Sequence, residues 1–92
     1  MRKNKDNQEK VFTTLDAYLA GYLELRGFTP TLIPQDNGRK IVFAFSATED
    51  LYKEITNYNN GATVEANRLA LTVKSLKSQI FSLRKVKEND HP

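Results

Sequence analysis

The sequence predicts a small α+β domain in which helices pack on one face of a small antiparallel sheet. Three observations predict this class. Apolar residues recur at helical spacing near residues 15–26 and again over 66–87, whereas residues 40–46 alternate as in a strand. Turn-forming residues crowd at 34–38. The chain has 92 residues, which is the size of one domain. The expected order is helix, β-hairpin, helix, an optional short strand and a long basic C-terminal helix.

We expect residues 1–12 to form a flexible charged tail, residues 13–87 to form the domain, and residues 88–92 to be a disordered end. The tail leads into no apolar run, so we expect neither a signal peptide nor an anchor. No segment approaches the ~20 apolar residues that cross a bilayer. The absence of cysteine excludes disulfides and thiolate zinc sites, and it fits a cytoplasmic location.

The first helix is predicted over residues 15–26, because its apolar residues fall on one face. Thr13 or Thr14 can cap its start, and Gly27 follows its last turn. Gly21 lies inside this helix, where glycine costs ~1 kcal/mol relative to alanine. We interpret Gly21 as a point where another element approaches closely.

A hairpin is predicted next, with strands over residues 28–33 and 40–46. The connection at 34–38 contains an Asn-Gly pair, which suits positive φ. Pro30 cannot donate a ladder hydrogen bond, so the first of these strands is predicted to be an edge or locally irregular. The second strand is apolar on both faces, so we expect it to be covered on both sides or to lie between two strands.

Two further helices complete the predicted fold. Ser46-Ala47-Thr48-Glu49 matches a capping box and predicts a helix that runs to about residue 58. Residues 62–64 can add a very short third strand. The last helix has an apolar seam made of Leu69, Val73, Leu76, Ile80 and Leu83. The seam fits packing on the domain's own sheet, and its spacing also fits a short coiled coil with a partner chain.

Apart from this seam, the last helix is strongly cationic. Residues 66–87 hold six Lys and Arg and no Asp or Glu, a charge of +6 in a chain whose total is +3. On a helical wheel, five residues form a stripe beside the seam: Lys74, Lys77, Phe81, Arg84 and Lys85. Because lysine and arginine bind phosphates and Phe81 can stack on a base, we predict a surface that binds the nucleic-acid backbone, assisted by Arg68 or Lys87.

The basic stripe also has a simpler interpretation. A charged helix face is often only solvated, and its cations can pair with Glu49, Asp50 or Glu54 of the second helix.

Two other regions could contact nucleic acid. The four tyrosines could act as stacking platforms, but we expect half-buried rings with their hydroxyls in water: Tyr18, Tyr22, Tyr52 and Tyr58. The hairpin tip carries Asp36, Arg39 and Lys40 and could enter a groove, but most such tips are simply polar and mobile.

The sequence offers no catalytic, metal or cofactor site. His91 is the single histidine and is next to last, so we expect no Ser-His or His-metal arrangement. The four glycines are scattered, which excludes a glycine-rich phosphate loop. The close carboxylates at residues 49–54 lie at a helix start, where acids are expected for dipole reasons. We therefore expect a protein that is not an enzyme, with no cofactor, no metal, no small-molecule substrate and no membrane partner.

Several short motifs stand out along the domain: Leu15-Asp16-Ala17-Tyr18-Leu19-Ala20-Gly21-Tyr22-Leu23, Gly27-Phe28, residues 38–45, Tyr58-Asn59-Asn60-Gly61, and residues 76–81. Together they resemble a small bacterial and phage-associated domain family of unknown function, over Thr13 to Phe81. The resemblance implies a prokaryotic, mobile-element or phage setting, and it carries no catalytic residues.

We therefore expect a non-catalytic binding module whose partner is DNA or RNA. The alternative is a protein-interaction or homo-oligomerising accessory protein of a phage or mobile element. A small sheet leaves open strand edges, so we also expect a homodimer.

Overall fold

The computed structural model describes the backbone of residues 10–89 and the side chains of residues 10–84. Its elements are β1 (Val11–Thr14), α1 (Ala17–Leu25), β2 (Thr31–Gln35), β3 (Lys40–Ser46), α2 (Glu49–Asn59) and α3 (Ala66–Asn89). The three strands form one antiparallel sheet in the order β1-β3-β2. The helices pack on one face of this sheet, which confirms the predicted α+β class.

The N-terminal strand corrects the predicted domain boundary. The predicted tail extended to residue 12, yet Val11 and Phe12 lie in β1 and pair with Ser46 and Phe45 of β3. Four residues next to a charged segment give too weak a local signal, and the partner strand is distant in sequence. The third strand is therefore β1, and residues 62–64 belong to no strand. The rest of the predicted tail, residues 1–9, and residues 90–92 of the predicted disordered end lie outside the described residues.

β3 occupies the centre of the sheet, which explains why its residues are apolar on both faces. Phe43 and Phe45 lie in the core beneath the helices. Val42 and Ala44 alternate onto the opposite face and are buried beside their neighbours on β1 and β2. The prediction that this strand lies between two others is confirmed, and so is the edge position of β2, which begins just after Pro30.

The start of α1 differs from the predicted one. Asp16, and not Thr13 or Thr14, caps the helix, because its carboxylate accepts the backbone N–H groups of Tyr18 and Leu19 at 2.9 and 3.2 Å. Leu15 therefore precedes the helix and is exposed. The start of α2 is shifted in the same way. Thr48 is its cap and accepts from the backbone N–H of Leu51 at 3.1 Å. Ser46, the first residue of the predicted capping box, still belongs to β3.

α3 packs mainly on α1. A Cβ added at Gly21 would lie 2.9 Å from Val73 Cγ2, so the predicted close approach at this glycine is present. Val73 and Leu76 are buried, and Leu69 and Ile80 pack against the core. The seam is thus used within the domain. Leu83, at the far end of the seam, is exposed.

Candidate nucleic-acid interface

An open groove of about 580 Å³ runs between α1 and α3. We call it the Tyr18 groove, after the α1 residue that forms one wall. It is lined by Tyr18, Ala70, Val73, Lys74, Lys77, Ser78, Phe81 and Ser82. The groove therefore combines two lysines, two serine hydroxyls and two aromatic rings on one surface. Such a surface can offer cations, hydrogen bonds and stacking to one ligand.

The helical spacing of α3 brings three predicted residues together. Lys74, Lys77 and Phe81 follow one another at intervals of three and four residues, so they lie on the same side of the helix. The close packing of α1 on α3 at Gly21 then sets Tyr18 beside them. The Nζ atom of Lys77 lies 5.4 Å from the centroid of the Tyr18 ring, which is a cation–π distance.

The groove is positively charged. No acidic side chain lines it among the described residues. In the same part of the chain, the structure has one ion pair, Arg26 with Glu54, and neither Lys74 nor Lys77 lies within ion-pair distance of a carboxylate. The simpler interpretation of the basic stripe allowed its cations to pair with acids of α2, and Lys74 and Lys77 do not form such pairs. A face that is only solvated would also have no acids beside its cations.

The remaining predicted residues lie elsewhere. Arg84 leaves the groove and donates from its guanidinium to the backbone carbonyl of Arg39 at 3.1 Å, which ties α3 to the hairpin tip. Arg68 is exposed in the first turn of α3, before the groove, and does not line it. Lys85 and Lys87 continue α3, but their side chains lie outside the described ones. The predicted stripe is thus divided between a groove and a contact with the hairpin.

Tyr18 is the groove residue that sequence reasoning undervalued. Its ring is 52 % exposed, which agrees with the expected half-buried ring, but its location on the groove wall beside the α3 lysines was not predicted. Its location depends on which helix packs against α1 and where they meet. The sequence held one signal of that contact, the glycine at position 21.

Tyr22, one turn later, lies in a different environment. Its ring is buried and its hydroxyl donates to Oε1 of Glu54 at 2.8 Å, so its hydroxyl is not in water as expected. Asn57 donates to the same oxygen at 3.3 Å, and Arg26 Nε lies 3.7 Å from it. These hydrogen bonds, Tyr22 first and Asn57 second, lower the pKa of the Glu54 carboxyl. We call these four residues the Glu54 cluster; it joins α1 to α2.

A second open groove, of about 520 Å³, flanks α3 on the side of β2. Its lining residues are Pro30, Leu32, Ser75, Ser78, Gln79, Ser82 and Leu83. None of them is charged, so this groove offers hydrogen bonds and apolar contact but no attraction for a polyanion. The Tyr18 groove is the better candidate for nucleic acid.

Two absences hold for residues 10–89. No group of three or more His, Cys, Asp or Glu side chains in this part of the chain could hold a metal ion. None of its helices is both long enough and apolar enough to cross a membrane.

The chain matches a family of protein domains. The family described as "Domain of unknown function (DUF5659)" matches residues 9–82, which is most of the chain and includes every residue of the Tyr18 groove. No curated protein and no solved structure matches the chain.

Proposed function

This chain belongs to the DUF5659 family of domains of unknown function, and we propose that it is a non-catalytic module that binds nucleic acid in the Tyr18 groove. One observation carries the proposal: Lys74 and Lys77 lie in a single groove with two exposed aromatic rings and no acidic side chain among the residues that the structure describes.

The expected mode of binding follows from the groove's chemistry. Lys74 and Lys77 would neutralise phosphates and release their counterions, which makes affinity fall as salt rises. The serine hydroxyls of Ser78 and Ser82 can donate to phosphate or sugar oxygens. These contacts carry no base identity, so we propose binding that is largely independent of sequence.

Fluorescence anisotropy with labelled single-stranded DNA, duplex DNA and RNA at several salt concentrations tests the proposal. We expect log-linear weakening with salt, with a slope that falls by roughly 0.7 to 0.9 for each phosphate contact removed. The double variant Lys74→Glu/Lys77→Glu should lose at least about tenfold in affinity, because it removes two phosphate contacts and adds two like charges.

A matched control separates a local effect from a change in net charge. Lys10→Glu/Lys53→Glu makes the same change in charge at two exposed positions that do not line the groove. We expect it to bind nearly as the native protein does. An equal loss in both double variants, or no binding to any probe at low salt, would overturn the proposal.

The biological setting belongs to the same proposal. The resemblance of residues 13–81 to bacterial and phage-associated domains supports a prokaryotic cytoplasm and a phage or mobile element. The genes that flank members of the family test this: they should encode phage or mobile-element functions, and unrelated housekeeping neighbours would contradict it.

Self-association is a second candidate function, and the face of the sheet opposite the helices favours it. Thr13, Thr31, Ile33, Val42 and Ala44 share the face opposite the helices, as the strand register requires. None of these five residues is charged, and Lys40 at the end of β3 is the charged residue that the register adds to this face.

The strand edges support self-association less than expected. β1 has only four residues, and β2 contains Pro34, and both features discourage edge-to-edge pairing. We therefore propose the face, and not an edge, for a homodimer. Sedimentation equilibrium should show a dimer that Ile33→Lys converts to a monomer, with Thr56→Lys on α2 as the charge-matched control; a native monomer at high concentration would exclude this candidate.

A further inference from the structure

Tyr18 is more exposed than the residues that follow it on α1. The next five residues of α1, numbers 19–23, are all buried, whereas the Tyr18 ring is 52 % exposed. Lys77 holds a cation against this ring at 5.4 Å, and the backbone N–H of Tyr18 is fixed by the Asp16 cap. The cap thus fixes the backbone from which the ring is presented to the groove.

The groove combines this ring with another from the facing helix. Phe81 of α3 is 65 % exposed and lines the same groove, together with Lys74 and Lys77. A duplex stacks its bases on one another and presents phosphates and groove edges to a protein. An unpaired base leaves its flat face available, and stacking on aromatic side chains beside a cationic track is typical of proteins that bind single strands.

We infer that the ligand of the Tyr18 groove is single-stranded nucleic acid, with a base stacked on Tyr18 and the adjoining phosphates on Lys74 and Lys77. This inference rests on the proposed function and specifies its ligand. The volume of about 580 Å³ lies within the ~300–1,000 Å³ that small-ligand sites occupy, so a base and its sugar-phosphate have room. The open groove lets the strand continue beyond the stacked base.

The chain has no tryptophan, which gives a direct experiment. Tyr18→Trp places a single indole in the groove, and Tyr52→Trp places one at similar exposure, 48 %, on α2 outside the groove. Each variant is titrated with unlabelled oligo(dT), oligo(rU) and a DNA duplex. We expect single strands to quench the indole fluorescence of the Tyr18→Trp variant through stacking and to leave that of the Tyr52→Trp variant unchanged.

An affinity measurement complements the fluorescence. Tyr18→Leu keeps an apolar side chain at an exposed position and should weaken single-strand binding by about tenfold, because stacking contributes ~1–3 kcal/mol per base. The same change should leave any weak duplex binding unaltered. Tyr52→Leu is the control, with circular dichroism to confirm that both variants fold.

The outcomes separate this inference from the proposed function. Quenching in the Tyr18→Trp variant alone, with single strands preferred over duplex, supports both. Salt-dependent binding that is lost in Lys74→Glu/Lys77→Glu, without quenching of the groove indole or with equal affinity for duplex, overturns the single-strand inference and leaves the proposed function standing. No binding to any probe at low salt overturns both.

Discussion

Tyr18 and Tyr22 lie one turn apart on α1, and each has a cation near its ring. The Nζ of Lys77 is 5.4 Å from the Tyr18 centroid, and the guanidinium carbon of Arg26 is 5.1 Å from the Tyr22 centroid. The surroundings differ. Tyr22 is 1 % exposed and its cation is matched by Glu54, whereas Tyr18 is half exposed and Lys77 forms no ion pair in the described part of the chain.

This difference shows that the neighbours of a tyrosine–cation pair decide what the pair does. In the Glu54 cluster the hydrogen-bonding and charge requirements are met inside the protein, so the pair joins α1 to α2. In the Tyr18 groove a positive charge and an aromatic face remain available to a ligand. The same residue types at helical spacing thus serve the fold in one place and a candidate site in the other.

Alanine substitution at the two tyrosines should give the largest difference in the free energy of unfolding. Tyr22→Ala removes a buried ring from the core and should cost about 3–5 kcal/mol of unfolding free energy. Tyr18→Ala removes an exposed ring and should change it by about 0.5 kcal/mol or less. Urea denaturation followed by circular dichroism measures both. Equal losses would show that Tyr18 supports the fold and would remove the basis of the comparison.

A methyl group at position 21, between the two tyrosines, should have a smaller effect. In Gly21→Ala the new Cβ would lie 2.9 Å from Val73 Cγ2, and overpacking of this kind costs ~1–3 kcal/mol. Valine is stiff and cannot easily turn aside. The gain in helix propensity offsets ~1 kcal/mol, so we expect a net loss of about 1 kcal/mol of unfolding free energy, again measured by urea denaturation.

A double-mutant cycle identifies the cause of that loss. If the clash is responsible, Val73→Ala should be less destabilising in the Gly21→Ala background than in the native protein. Additive losses in the cycle would mean that the helices separate freely and that their contact does not position Tyr18.

Acidification of the Glu54 cluster should produce the smallest effect. The folded-state pKa of Glu54 lies below its ordinary value of 4.5, mainly because the Tyr22 hydroxyl donates to the carboxylate. The stability that ionised Glu54 provides is therefore complete above pH 4.5 and is lost as the pH falls through the folded-state pKa. Thermal melts of the native protein and Glu54→Gln should differ by a constant amount above pH 4.5 and converge below it. A difference that widens in acid would contradict the assigned role of Tyr22.

Local signals were enough to predict most of the fold. The strand Lys40–Ser46 has the predicted bounds, because its apolar run is strong and the turn before it fixes its start. Asp36, Asn37 and Gly38 all have positive φ, as the turn composition indicates. Val11–Thr14 was missed because only its pairing with β3, far along the chain, makes it a strand.

The candidate site was predictable only along one helix. Helical spacing placed Lys74, Lys77 and Phe81 together, and they do share a groove. The same spacing placed Arg84 in the stripe, but the carbonyl of Arg39 lies within its reach and binds it. Tyr18 belongs to a different helix, α1. The periodicity of a sequence does not predict how two helices cross, so it could not place Tyr18 in the site.

The close approach of α1 and α3 also sets a rule for related sequences. At position 21 a hydrogen atom is all that fits against Val73, so the two positions cannot vary independently. A family member with alanine at the first position is expected to have a smaller residue than valine at the second, and one that keeps valine is expected to keep glycine. Correlated substitution at these two positions would indicate from sequences alone how closely α1 and α3 approach. It would therefore also indicate the shape of the groove between them.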